Sequence, residues 1–298
     1  MPHPTSFLNR FLFHPIQAVA AILVYTIFRI LPLDWASGLG GWLGRTLGPP
    51  VSISKRAKRN LKRAFPDITD AEVSRIVRGM WDNLGRTAAE YPHLRQIDVY
   101  AGDGRAEVVG AEYVDLLRDD GKPGIFFSAH MANWEISSLA ATQRGLPLDR
   151  VYRAANNRLV QWLYDHGRAA VEGALIAKGP RGARQLLASL KEGKHLAMLV
   201  DQKMNDGVPV PFFGEEVMTA PALAELALRF DCPIVPACIE RLAGATFRLS
   251  VLPPLEIVRT GDHQVDVLAV MTQVNAQIET WVRDRPEQWL WLHNRWPD

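Results

Sequence analysis

The stretch that most limits the fold is Gly124-Ile-Phe-Phe-Ser-Ala129, a strand-length run without polar alternation. A strand with one wet face alternates apolar and polar side chains, whereas a strand covered on both faces does not. This run therefore belongs inside a sheet with helices above and below it. Its neighbours keep the rhythm. Strand-like segments at 108–109, 149–152, 175–176, 195–200 and 234–239 alternate with helical ones at 112–118, 133–143, 158–172, 183–192 and 220–230. Strands at 247–251 and 255–258 precede a last helix over 265–283. The alternation predicts an α/β fold, a mostly parallel sheet flanked by helices. Sites in such sheets form outside the carboxyl ends of the strands. His130 lies just past one.

Before residue 107 the pattern is helical, and Thr69 or Asp70 is the candidate N-cap of a helix running to about Pro92. With 298 residues, 48% of them hydrophobic, the chain can bury one large core. Residues 51–298 read as the α/β domain and 1–50 as a hydrophobic membrane anchor. Between Arg10 and Arg29 lie 18 residues without a formal charge, marginal against the roughly 20 that a span requires, so a spanning helix and an interfacial one both stay open. The segment KRAKRNLKR (55–63) holds six basic residues in nine. Residues 1–66 carry +8 and the remainder −6. Basic residues beside an apolar helix suit docking on anionic lipid, with the bulk of the protein on the cytoplasmic side. No nucleic-acid-binding motif accompanies them. Cys232 and Cys238 form neither a metal pattern nor a disulfide framework and read as buried thiols.

Ser128-Ala-His-Met-Ala-Asn-Trp-Glu135 follows directly from the buried run. Residues five apart on a helix diverge by about 140°, so one helical face does not hold both His130 and Glu135. The spacing works if His130 sits in the strand-to-helix turn and Glu135 in the first turn of the next helix. The carboxylate can then take a hydrogen bond from one ring nitrogen and leave the other as a general base. The competing reading is a structural polar residue at a strand end. No paired His/Cys motif completes a zinc site, and Ser128 is not in a nucleophile elbow.

The segment is similar to the H-x4-D/E motif of the glycerolipid acyltransferase superfamily. In its S-x-H-x-x-N-W-E form it resembles the bacterial lipid A biosynthesis (lauroyl/myristoyl) acyltransferases. The likeness continues in order through Asn60-Leu61, Phe65-Pro66, Val151-Tyr-Arg-Ala-Ala-Asn-Asn157 and Arg168. It then takes in Gly179-Pro-Arg-Gly182, Asp201-Gln202, Val210-Pro-Phe-Phe-Gly214 with Thr219, and Pro286-Glu-Gln-Trp-Leu-Trp-Leu-His293 with Arg295-Trp296. The resemblance implies an enzyme, an O-acyltransferase at the bacterial inner membrane. It would move a fatty acyl chain from acyl carrier protein to a hydroxyl of a lipid A precursor, with no cofactor beyond that acyl donor. His130 would be the base and Glu135 its partner. A related acyltransferase for a lysophospholipid or glycolipid, or a non-catalytic lipid-binding protein, are the alternatives.

Ser128, Asn133, Arg153, Arg168, Arg181 and Asp201 are the candidate substrate-binding residues. Arginines at strand–helix connections suit a diphosphorylated acceptor, because guanidinium grips phosphate with two N–H groups; solvated surface arginines are the alternative. Asp201 ends the strand HLAMLVD on the same sheet edge as His130. It either orients Arg168 or the acceptor, or forms a turn. The tryptophans at 289, 291 and 296 either pack the core or line a hydrocarbon groove.

Overall fold

The computed structural model describes residues 13–102, 104–152, 157–168 and 170–296. Among the described residues four helices come first: α1 (His14–Ile30), α2 (Leu33–Leu47), α3 (Ser54–Ala64) and α4 (Asp70–Glu90). Thr69 caps α4 as expected. Its hydroxyl accepts the Glu72 N–H at 3.2 Å, and the Glu72 carboxylate accepts the Thr69 N–H at 3.0 Å. Such a cap satisfies backbone donors that the first turn leaves without partners. Helix α2 lies hard against α4 because glycines face each other. A Cβ on Gly44 would come 2.0 Å from the Trp81 carbonyl oxygen, and one on Gly85 would come 2.1 Å from that of Gly40.

Helix α1 has 17 residues, and among the described residues no helix is long and apolar enough to cross a membrane. At 1.5 Å per residue it is about 25 Å long, short of the roughly 30 Å hydrocarbon layer. The helix pair nevertheless exposes Ile16, Val19, Leu23, Trp35, Trp42 and Leu47.

A 3₁₀ turn (Tyr91–Gln96) leads into β1 (Ala106–Val109), α5 (Glu112–Asp119), β2 (Ile125–Ser128), α6 (Glu135–Gln143), β3 (Leu148–Tyr152) and α7 (Arg158–Arg168). Then come β4 (Leu175–Ala177), α8 (Pro180–Lys191), β5 (His195–Leu199), the pair β6 (Lys203–Phe212) and β7 (Glu215–Thr219), and α9 (Ala222–Phe230). Strands β8 (Ile234–Ala243) and β9 (Thr246–Val251) precede α10 (His263–Asp284) and a short 3₁₀ turn at Pro286–Gln288. The seven-stranded sheet has the order β1-β9-β8-β2-β5-β3-β4, and every pair in it is parallel except β8–β9. All four residues of β2 are buried. Phe127 enters one core with Met198, Trp281 and Trp289, and Phe126 enters the other with Leu139, Val235 and Phe247. Both faces of this strand are covered, which is why its sequence lacks alternation.

Three segments depart from the expectation. Residues 255–258 form no strand. Pro253 and Pro254 lead into them and supply no N–H donors, although the Leu255 N–H does reach the Ile234 carbonyl at 2.8 Å. Helix α7 stops at Arg168 rather than continuing to 172. The β6–β7 hairpin is absent from the expected elements, and its first strand contains Pro209 and Pro211. Proline is tolerated at a sheet edge, and β6 pairs only with β7. Phe213 and Gly214, with φ of 52° and 76°, make the two-residue turn between them. Cys232 and Cys238 are free and buried. Burial pushes the Cys232 thiol up to about 11 and Cys238 higher still.

Candidate active site

Strands β2 and β5 are parallel neighbours, so the residues that follow them emerge at the same edge of the sheet. His130 follows β2 and Asp201 follows β5. The His130 Nδ1 lies 2.7 Å from Asp201 Oδ1, and the His130 backbone N–H donates to Asp201 Oδ2 at 2.9 Å. The indole N–H of Trp289 reaches the same Oδ2 at 2.8 Å. The carboxylate on the imidazole is thus Asp201, not Glu135 as the spacing suggested. Glu135 does begin the next helix, α6, but its place is in the wall of the adjoining cavity. The motif spacing fixes where Glu135 falls along the chain, whereas the sheet order decides which acid faces the ring.

Asp201 is 0% exposed. Burial alone would raise its pKa. The charge of the His130 imidazole and its hydrogen bond, then His293 and the His130 N–H, outweigh burial and hold the carboxyl far below its usual range. His130 keeps 14% of its side chain exposed, and with Nδ1 engaged Nε2 remains for a substrate proton. The rings of His293 and Trp134 lie edge-on to it, with centroids 4.6 and 5.1 Å away. Burial, reinforced by the charge of His130, pushes His293 down to about 4, so that ring is neutral at neutral pH. His130, Asp201 and His293 place ligand-type atoms within 4.8 Å of one another. The two Asp201 oxygens face His130 Nδ1, the His130 N–H and the Trp289 indole N–H, a hydrogen-bonded arrangement about the base.

The turn that carries His130 is strained and held. Ala132 adopts φ 44°, rare for a residue with a Cβ. Its N–H donates to the Gln288 carbonyl at 3.0 Å, and its carbonyl accepts from Thr87 Oγ1 at 2.9 Å and Asn83 Nδ2 at 3.2 Å. Asn133, expected to bind substrate, is 1% exposed and donates from Nδ2 to Glu90 at 2.9 Å. Glu90 is itself buried, pairs with Arg241, and accepts from Ser37 of α2 at 2.7 Å. Asn133 therefore serves the turn through a buried ion pair that the sequence did not disclose.

A cavity opens beside this turn, between the sheet and α6. Phe126, Leu148, Ala197, Leu199, Leu249 and Val251 make it mainly apolar, with Ser128, Glu135 and Arg150 among its polar groups. Ser128, a candidate from the sequence, thus lines the cavity. Arg181 is exposed on the first turn of α8 and does not join it. Arg153 lies within 153–156, outside the described residues, and of Arg168 only its position at the end of α7 is described. Trp289, Trp291 and Trp296 are buried, as core packing requires.

A base held by a buried carboxylate, in a turn whose flanking Ser128, Trp134 and Glu135 line an apolar cavity, is equipment for taking a proton from a hydroxyl next to a hydrocarbon chain. The chain matches the family model of bacterial lipid A biosynthesis acyltransferases over residues 6–298, and it belongs to that family. It is 23% identical to a lipid A biosynthesis acyltransferase of Haemophilus influenzae, over 91% of this chain and 84% of that protein. It is 26% identical to the lipid A biosynthesis myristoyltransferase of Escherichia coli, over 85% of this chain and 77% of the relative. The lauroyltransferase of the same organism is also 26% identical, over 82% and 79%. A crystal structure of the 1-acyl-sn-glycerophosphate acyltransferase PlsC from Thermotoga maritima overlaps 83% of this chain and 98% of its own, at 14% identity and a TM-score of 0.37, too loosely to argue from.

Proposed function

We propose that this chain transfers a fatty acyl group from the thioester of an acyl carrier protein to a hydroxyl of a lipid A precursor. The observation that carries the reading is the His130–Asp201 pair, in a turn whose flanking residues Ser128, Trp134 and Glu135 line an apolar cavity. In the proposed step Nε2 of His130 takes the hydroxyl proton as the oxygen attacks the thioester carbonyl. Asp201 stabilises the imidazolium that forms. The tetrahedral intermediate collapses, the C–S bond breaks, and the imidazolium returns its proton to the departing thiolate. No covalent acyl-enzyme is needed. The cavity takes the hydrocarbon chain, and Glu135 stands in its wall.

The reaction takes place at a membrane surface in this reading. The exposed apolar residues of α1 and α2 enter the interface, and Lys55, Lys58 and Arg59 of α3 face anionic headgroups. This is an interfacial arrangement, with the α/β body on the cytoplasmic side. The family relationship supports the acceptor class. The two Escherichia coli relatives, named for transfer of different acyl chains, support a fatty acyl group without fixing its length.

The test offers purified protein a panel of acyl carrier protein and coenzyme A thioesters. A tetra-acylated lipid A precursor and lysophospholipids serve in parallel as acceptors, and products are read by mass spectrometry. One added acyl chain on the lipid A precursor, absent with His130→Ala, is the expected result. Acylation of a lysophospholipid alone would overturn the acceptor, and turnover of coenzyme A thioesters alone would overturn the donor.

A further inference from the structure

We propose that the segment Trp289–His293 is a positioning part of the catalytic apparatus: Trp289 fixes the carboxylate of Asp201, and His293 fixes the imidazole of His130. The activity readout of this proposal rests on the acyl-transfer reading above. The segment lies about 160 positions from His130 in sequence, yet it is laid alongside the catalytic turn as a strand would be. Met131 and Trp289 form an antiparallel bridge. The Leu290 N–H donates to the His130 carbonyl at 3.1 Å, and the Ala132 N–H to the Gln288 carbonyl at 3.0 Å. The backbone from the base to Ala132 is therefore pinned by residues 288–290.

The side chains finish the arrangement. Oδ2 of Asp201 takes two donors, the Trp289 indole at 2.8 Å and the His130 backbone at 2.9 Å. That occupancy leaves Oδ1 for the imidazole and sets the rotation of the carboxylate. Trp289 is fully buried, so the indole N–H has no water to replace this bond. His293 places its ring edge-on to His130, limiting the tilt of the base. The segment is clamped from outside in turn. Asn60 of α3 donates to the carbonyls of Trp291 and His293 at 3.0 and 2.8 Å, and Arg56 to that of Leu292 at 3.3 Å. Core packing alone does not call for a tryptophan N–H aimed at the one acid that holds the base.

The charged and titratable groups bearing on Asp201 and His293 are His130, Lys178, Arg56 and Arg295. Asp201 and His293 also bear on each other; Trp289→Phe changes none of these groups, whereas His293→Phe removes one that acts on Asp201. Trp289→Phe keeps a buried ring and removes the N–H. An Asp201 with one donor fewer is more basic and holds a proton on His130 more firmly. The expected result is a kcat lowered about tenfold, KM for both substrates within about twofold, and an acid limb of kcat/KM moved up by about half a pH unit or more. His293→Phe should lower kcat severalfold with KM unchanged.

The second readout needs no substrate. In 15N-histidine NMR of the wild-type protein, the His130 Nδ1 proton should appear as a downfield, exchange-protected signal, and it should shift or broaden in either variant. Unchanged kcat, acid limb and Nδ1 signal in folded variants would overturn the proposal. So would an activity loss that merely follows melting temperature while the signal stays put. If Trp289→Phe does not fold, His293→Phe and the wild-type signal decide. A wild-type protein without acyl transfer but with a responsive Nδ1 signal would sink the acyl-transfer reading and leave the positioning role standing.

Discussion

The sheet edge and the amino-terminal helices solve opposite problems. At the edge, Asp201, Trp289, Asn133 and Glu90 are sealed from water and bonded to particular atoms. On α1 and α2 the large apolar side chains are exposed, and Lys55, Lys58 and Arg59 of α3 stand in solvent. Burial makes a hydrogen bond directional and its loss costly, which suits a base that must hold one orientation. Exposure leaves a surface tolerant of its partner, which suits attachment to a fluid layer. Chemistry and location are thus assigned to regions of different physical character, and each should fail in its own way.

The hardest break is His130→Ala. It should lower acyl transfer on the order of 100- to 10,000-fold while leaving the melting temperature and vesicle binding unchanged, and a loss below tenfold would remove His130 as the base. Next, Asp201→Asn keeps the shape but not the charge and should lower kcat on the order of 100-fold. Running Glu135→Gln beside it asks which acid supports the base. A larger loss at Glu135 would give the partner role back to the motif. Changing Lys55, Lys58 and Arg59 together to Gln should weaken binding to anionic vesicles more than tenfold, at roughly 1 kcal/mol each. It should also flatten the salt dependence and leave kcat on detergent-dispersed substrate alone. Equal sedimentation of variant and wild type would count against the membrane surface.

The smallest expected effect is on stability. His293 is held down to about 4 in the folded chain against about 6.5 unfolded, so the unfolded state binds the extra proton first. Its contribution is fully present above pH 6.5 and falls as pH drops toward 4, by about 3 kcal/mol. Denaturant titrations from pH 7 to 4 should show that slope, and His293→Phe should reduce it.

The layers of the fold were legible because periodicity reports burial directly, and β2 could hardly be anything but an interior strand. Glu135 fell where a strand-to-helix turn requires, and Asp201 was placed on the correct edge. What could not be read was adjacency. Nothing in HLAMLVD says that β5 lies beside β2, and only that neighbourhood puts Asp201 on His130. Asn133 shows the same limit: nothing in the motif says that its Nδ2 meets Glu90, 43 positions away. The hairpin at 203–219 was absent from the expected elements, and its prolines are ones that an edge strand accepts. Trp289 looked like core and is core, while its N–H is committed to Asp201.

The Glu90–Arg241 pair has a consequence for how the molecule opens. It joins α4 to β8, and through Ser37 and Asn133 it also touches α2 and the catalytic turn. Prising any one of these elements away strands a charge in a dry interior, which costs several kcal/mol and leaves no inexpensive partial opening. The amides of α4 and β8 should therefore exchange with solvent in one shared event, so that the helical layer and the sheet come apart together rather than in stages.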